Sequence, residues 1–128
     1  MTAPPESPDD LRVLVVDDHR AFRLAAAAVL RRTPGFTLTG EAASAEDGLE
    51  LVTTLRPDLV LLDVRLPAMD GVEASHAIAR DAPGTVVFLL STYGRTDLPA
   101  AVRDAPVAAY LHKEELTPER LRQLWSAR

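Results

Sequence analysis

Four short stretches of this chain are apolar at every position, and each stops at residues able to handle phosphate or metal. Residues 13–16 (VLVV) run into Asp17-Asp18, and residues 59–62 (LVLL) run into Asp63. Residues 86–90 (VVFLL) stop at Ser91-Thr92, and residues 108–111 (AAYL) stop at His112-Lys113. Unbroken apolar runs of this length, bounded by turn residues, predict strands buried on both faces, as in a parallel sheet covered by helices. A weaker strand pattern lies at residues 36–42.

Between the strands the period changes to that of a helix. Phe22, Ala25, Ala26, Val29 and Leu30 share one face until Thr33-Pro34-Gly35 ends the helix. Ser44-Ala45-Glu46-Asp47 opens a second helix with a side-chain cap and an acidic first turn, and Leu49, Val52 and Leu55 give its apolar face before Arg56-Pro57. A long loop, residues 64–71, leads to a third helix capped at Asp70-Gly71-Val72-Glu73 and ending near Ala82-Pro83-Gly84. A short, proline-bearing fourth helix begins near Asp97-Leu98-Pro99 and ends before Pro106. Thr117-Pro118-Glu119 opens the last helix, with proline where no amide donor is needed, and Leu121, Leu124 and Trp125 form its stripe.

Strand and helix therefore alternate five times. The expected fold is α/β: a (βα)5, doubly wound, five-stranded parallel sheet in three layers, with right-handed crossovers. Residues 1–10, rich in proline and acid, are expected to form a disordered leader, and residues 11–128 one domain. In such open sheets the ligand site lies beyond the carboxyl ends of the strands. Residues spread over the whole chain should thus meet in one crevice holding Asp17, Asp18, Asp63, one or two hydroxyls and the ammonium of Lys113.

Composition narrows the choice of partners. Of 128 residues, 47% are hydrophobic and 26% charged, the balance of a water-soluble globular domain. A net charge of -5 argues against nucleic acid as a direct partner, since that affinity comes mostly from neutralising phosphates. The absence of cysteine excludes disulfides, thiol catalysis and cysteine metal sites. With no apolar stretch near the ~18 residues of a membrane span and no basic, apolar signal segment, a cytoplasmic protein is expected.

Three carboxylates and one ammonium leave the crevice with a formal charge of about -2, and two like charges ~4 Å apart repel by roughly 4 kcal/mol at an effective dielectric of 20. A divalent cation would neutralise them. Oxygen donors with room for water favour Mg²⁺, with Mn²⁺ possible. A carboxylate beside such a cation, with a hydroxyl and a lysine aimed at the same point, suits in-line phosphoryl transfer onto the carboxylate. A hydrolase would need a general base for water, and the sequence offers no evident one.

In the order and spacing of LRVLVVDDHR, DLVLLDVRLPAMDGVE, VVFLLSTYG and AYLHKEEL, residues 11–127 resemble the receiver (CheY-like) domain of two-component response regulators. The resemblance implies a CheY-like, flavodoxin-type fold with Asp63 as phosphoacceptor. It also implies Asp18 as the direct metal ligand, Asp17 as the ligand acting through water, and the carbonyl of Arg65 as the third metal contact. Ser91 matches the hydroxyl that meets the phosphoryl group, with Thr92 as the alternative, and Lys113 the family lysine. Tyr110 matches the aromatic that turns inward as the hydroxyl moves. Pro67, Asp70 and Gly71 fit the turn after the acceptor. Glu114 departs from the pattern, standing where many receivers have proline.

By the same resemblance the chain is a switch rather than an enzyme, phosphorylated by a histidine kinase or phosphotransfer protein. Its output face, on the fourth helix, fifth strand and fifth helix, is expected to include Arg95, Val102, Leu116 and Arg120 and to meet a dimer mate or effector. Arg65 and Tyr93 are expected at the mouth of the site. His19, next to the acidic pair, has the chemistry of a metal ligand or a catalytic base, but the preferred expectation is that it faces solvent at a helix start; His76 and His112 are expected at the surface. Two other readings remain: a binding module that works without phosphate, and the excised N-terminal domain of a DNA-binding regulator. An aspartate-nucleophile phosphatase fits less well, because it wants its two aspartates one residue apart, whereas Asp17 and Asp18 are adjacent.

Overall fold

The computed structural model describes residues 9–92 and 98–128. Strands β1 (Leu11–Val16), β2 (Phe36–Ala42), β3 (Leu59–Asp63), β4 (Val86–Ser91) and β5 (Ala109–His112) alternate with helices α1 (Arg20–Arg31), α2 (Ala45–Leu55), α3 (Gly71–Asp81), α4 (Ala100–Arg103) and α5 (Pro118–Ala127). The strands form one sheet in the order β2-β1-β3-β4-β5, and every neighbouring pair is parallel. The expected doubly wound (βα)5 fold is the one observed.

The unbroken apolar runs follow from the three layers. Successive side chains of a strand point to opposite faces, and here both faces are covered. Leu14, Val16, Val60, Leu62 and Leu89 pack with Val52 of α2, Ala74 and Ile78 of α3, and Val102 of α4. Val13, Val15, Leu59, Leu61, Phe88 and Leu90 pack with Ala26 and Leu30 of α1 and Leu121 of α5. Each such Val, Leu, Ile or Phe side chain contributes about 1.5–3 kcal/mol by leaving water. Trp125 has the packing role expected of it, edge-on to Phe36 and Phe88 at 6.3 and 6.5 Å between centroids.

Helix ends fall close to their sequence signals. Ser44 Oγ accepts from the Asp47 amide, Thr117 Oγ1 from that of Arg120, and Asp70 and Glu73 cap each other reciprocally. The apolar face of α1 is rotated slightly from expectation: Ala27 is buried and Ala25 exposed. The end of α2 uses a device the pattern did not reveal. Arg56 turns left-handed (φ 49°), and the Arg12 guanidinium donates to the carbonyls of Leu55 and Arg56 and to Thr39 Oγ1. Of the expected fourth helix, the start near Asp97 lies outside the described residues, as do Tyr93, Arg95 and most of the expected leader.

After β5 the chain turns through a single 3₁₀ turn, Lys113–Glu115. Among the described residues no peptide bond is cis, the Lys113–Glu114 bond included. His112, expected at the surface, is half-buried and organises this turn. Its Nδ1 accepts from the Glu114 amide at 3.1 Å, which leaves the ring proton on Nε2, 3.2 Å from the Thr92 carbonyl beyond β4. One imidazole thus ties together the segments that follow β4 and β5.

Candidate functional site

The strand order reverses between β1 and β3, since the chain passes from β1 outward to β2 and then returns to the other side. A doubly wound sheet opens its crevice at that point, beyond the carboxyl ends of the two strands. Asp17 and Asp18 follow β1 there, and Asp63 ends β3. Asp17 and Asp63 are buried, at 0% and 3% exposed, while Asp18 is open to solvent. The strand end is held from α1, where Arg23 donates to the Asp17 carbonyl at 2.8 Å and pairs with Glu41 at 3.3 Å.

Lys113 reaches the same point from the turn after β5. Its Nζ lies 2.7 Å from Asp17 Oδ2 and 3.4 Å from Asp63 Oδ2, and 4.8 Å from the centre of the Phe22 ring. The contact with Asp17 is one of charge and distance rather than of angle, for the enclosed Oδ2 has no partner in hydrogen-bond geometry. The second oxygen of Asp63, Oδ1, accepts a long 3.3 Å hydrogen bond from the Arg65 amide. Arg65 itself is exposed, as expected at the mouth of the site.

Burial pushes the Asp63 carboxyl above its ordinary value, and the Asp17 charge adds to this. Lys113 and the Arg65 amide offset only part of it. For Lys113, burial is the largest single influence and pulls downward. The adjoining Asp17 and Asp63 carboxylates together outweigh it, so the ammonium is held charged more firmly than usual. The pocket therefore contains a reluctant anion and a firmly fixed cation.

The loop after Asp63 closes against the strand end. The Gly71 amide donates to the Val64 carbonyl at 2.9 Å, and a Cβ on Gly71 would fall 2.1 Å from the carbonyl oxygen of Asp63. Glycine is required there because the α3 N-terminus and the end of β3 touch backbone to backbone. Ser91, the last residue of β4, is buried beside Leu90, whose strand position pairs with Asp63, whereas Thr92 is exposed. Tyr110 is half-buried in β5 and packs against the core on the α2–α4 side. Burial, then the Asp104 charge, raises its hydroxyl's pKa, against a lowering influence from the Ala105 backbone.

Two side chains outside the expected site lie at the crevice. His19 is exposed, as expected, but its ring turns back onto the acidic pair, with Nδ1 3.0 Å from Asp17 Oδ1 and 3.1 Å from Asp18 Oδ1. Its adjacency to Asp17-Asp18 was the available signal. Phe22 lies on the apolar stripe of α1, as expected, and its ring also faces the lysine; only the fold brings positions 22 and 113 together.

The donor set suits a hard divalent cation. Asp17, Asp18, His19 and Asp63 each offer one ligand atom, all within 4.8 Å of one another. The buried Asp17 Oδ2 faces the Lys113 ammonium at 2.7 Å, which leaves Asp17 Oδ1 as the oxygen turned towards Asp18 and His19.

The chain has many relatives. The sequence profile of the response regulator receiver domain matches residues 13–125. The chain belongs to that family. This receiver domain is 33% identical over 109 residues to the transcriptional regulatory protein LiaR of Bacillus subtilis, matching 85% of this chain and 52% of that protein. It is 38% identical over 104 residues to the transcriptional regulatory protein PdtaR of Mycobacterium tuberculosis, matching 80% of this chain and 49% of that protein. The match thus takes in about half the length of these curated relatives. Among solved structures, the signal receiver domain of the response regulator NarL from Mycobacterium tuberculosis superposes with a TM-score of 0.82 at 32% identity, covering 94% of this chain and 97% of that one. A LuxR-family response regulator from Aurantimonas superposes with a TM-score of 0.81 at 26% identity, covering 92% and 84%.

The expected output face needs correction. Val102 and Leu116 are buried, 3% and 8% exposed, one in each half of the core, so neither presents a docking surface. Arg120 is half-exposed and Arg95 lies outside the described residues. Each sits alone, on a short helix or in a turn, without a neighbouring stripe to reveal which way it points. Among the described residues no helix is long and apolar enough to cross a membrane.

Proposed function

We propose that this receiver domain is a phosphorylation switch in which Asp63 accepts a phosphoryl group from the phosphohistidine of a kinase or phosphotransfer protein. One observation carries the proposal: a buried carboxylate at the sheet edge, faced by two more carboxylates and by the ammonium of Lys113. An Asp63 oxygen attacks phosphorus in line, the P–N bond to the donor imidazole breaks, and the phosphoryl group remains as an acyl phosphate. Asp17, Asp18, Asp63 and the Arg65 carbonyl would hold Mg²⁺ or Mn²⁺, which supplies positive charge beside the phosphoryl oxygens. Lys113 stabilises the same oxygens from the other side, its charge secured by its two carboxylate neighbours.

Ser91 is the hydroxyl assigned to the phosphoryl group, because it is enclosed at the end of β4 while Thr92 faces outward. Movement of Ser91 frees space for Tyr110, which packs in the same half of the core as Val102 of α4. That route links the acceptor to α4, β5 and α5, where a dimer mate or effector would read the state. The chain acts as a cytoplasmic switch rather than an enzyme with its own substrate turnover. Joined to a DNA-binding output domain, the same switch would control transcription.

Incubating the protein with acetyl phosphate and Mg²⁺ and weighing it intact tests this. A gain of one phosphoryl group in the wild type, absent from Asp63→Ala, is the expected result. An unlabelled wild type would instead favour a binding module that works without phosphate.

A further inference from the structure

His19 is exposed at the start of α1, as expected, yet its ring nitrogen turns towards the acidic pocket. The Nδ1 atom is 3.0 Å from Asp17 Oδ1 and 3.1 Å from Asp18 Oδ1. Neighbouring ligands on an octahedral cation with bonds of about 2.1 Å lie about 3 Å apart, so both edges have the length that a shared ion requires. The backbone fixes this placement: His19 is the N-cap residue of α1, and its amide donates to Asp17 Oδ1 at 2.8 Å. The ring makes no capping hydrogen bond to the helix. With its side chain 67% exposed, it is not wedged into the pocket by packing.

We propose that His19 Nδ1 is a direct ligand of the cation in this pocket. The site is then a mixed nitrogen–oxygen site, and it discriminates among divalent ions differently from an all-oxygen one. Imidazole suits the later first-row ions, whose affinity for nitrogen rises from Mn²⁺ towards Ni²⁺, whereas Mg²⁺ gains little from it. As a ligand, the ring carries its hydrogen on Nε2 and turns the Nδ1 lone pair into the pocket. This inference rests on the pocket being the cation site of a phosphoacceptor, and it adds the ion preference that His19 confers. A plain Nδ1–H hydrogen bond to the carboxylates has the same length but the opposite consequence. A hydrogen-bonding clamp competes with every cation alike, whereas a ligand strengthens the binding of nitrogen-preferring ions selectively.

Calorimetric titration of the whole chain with Mg²⁺ and with Ni²⁺ separates the two, using the wild type, His19→Ala and Asp18→Asn. Outer-shell partners of a metal site are already worth about 10–100-fold in affinity, so loss of a direct nitrogen ligand should weaken Ni²⁺ at least that much. Mg²⁺ binding should change far less. Asp18→Asn should weaken both ions, which places the Ni²⁺ in the pocket and not at His76 or His112. Equal changes for the two ions in His19→Ala, tighter binding in that variant, or Ni²⁺ binding indifferent to Asp18→Asn would overturn the proposal. Wild-type labelling by acetyl phosphate with Mg²⁺ is measured alongside. A labelled wild type with Ni²⁺ affinity indifferent to His19 removes the ligand role alone, whereas an unlabelled wild type removes the phosphoacceptor pocket itself.

Discussion

Asp63 lies where burial and a neighbouring anion both oppose its charge, and the fold bears that cost. Below the ordinary carboxyl value of 3.8 the group is protonated in both folded and unfolded chains, so it has no effect on stability. As pH rises past that value towards the raised folded one, the unfolded chain ionises more readily, and stability falls before levelling off. Asp63→Asn removes this penalty. Thermal melts at pH 7 should give the variant the higher Tm, with the difference closing below about pH 4; a variant less stable at pH 7 would contradict the electrostatics assigned to the pocket. Gly71 is constrained by contact rather than charge. A methyl at Gly71 would meet the Asp63 carbonyl, so Gly71→Ala should cost about 1–3 kcal/mol in denaturant unfolding, the range for overpacking an unyielding site. It should also slow labelling of Asp63, whereas Gly84→Ala, with open space around it, should do neither.

Among the elements, helix starts were legible because capping is local chemistry: Ser44, Asp70 and Thr117 each accept from an amide three residues ahead. Loss of one such cap, as in Asp70→Ala, should cost about 1 kcal/mol. The end of α2 was not legible, since Arg12 stands 43 and 44 positions before the carbonyls it covers. Arg12→Ala leaves those carbonyls and Thr39 without their charged donor and should destabilise the domain by about 1.5–3 kcal/mol. A change under 0.5 kcal/mol in equilibrium unfolding would show that water replaces the guanidinium without loss. The same distinction explains His112 and Phe22. A ring bridging the segments after β4 and β5, or one facing the lysine, depends on contacts that only the folded chain creates. The strands were legible because both faces of the sheet are covered, which leaves an apolar signature without alternation.

At the scale of the whole molecule, the parallel order β2-β1-β3-β4-β5 is what turns residues about a hundred positions apart into one pocket. Strand-ending Asp17, Asp18, Asp63 and Lys113 could be anticipated together because parallel strands deliver all their carboxyl ends to one edge. The inward turn of His19 could not, since a residue at a helix start is free to face either way. A cation that binds only the folded pocket should stabilise the entire domain, by about 2.7 kcal/mol at a hundred times its dissociation constant. Melting curves with excess Mg²⁺ should therefore shift upward in the wild type and markedly less in Asp18→Asn. The most direct measurement of the central claim is chemical trapping of the acyl phosphate. After treatment with acetyl phosphate and Mg²⁺, borohydride reduction should convert one residue to homoserine, and peptide sequencing should find it at position 63. Homoserine at position 17 or 18, or none at all, would contradict the phosphoacceptor assignment.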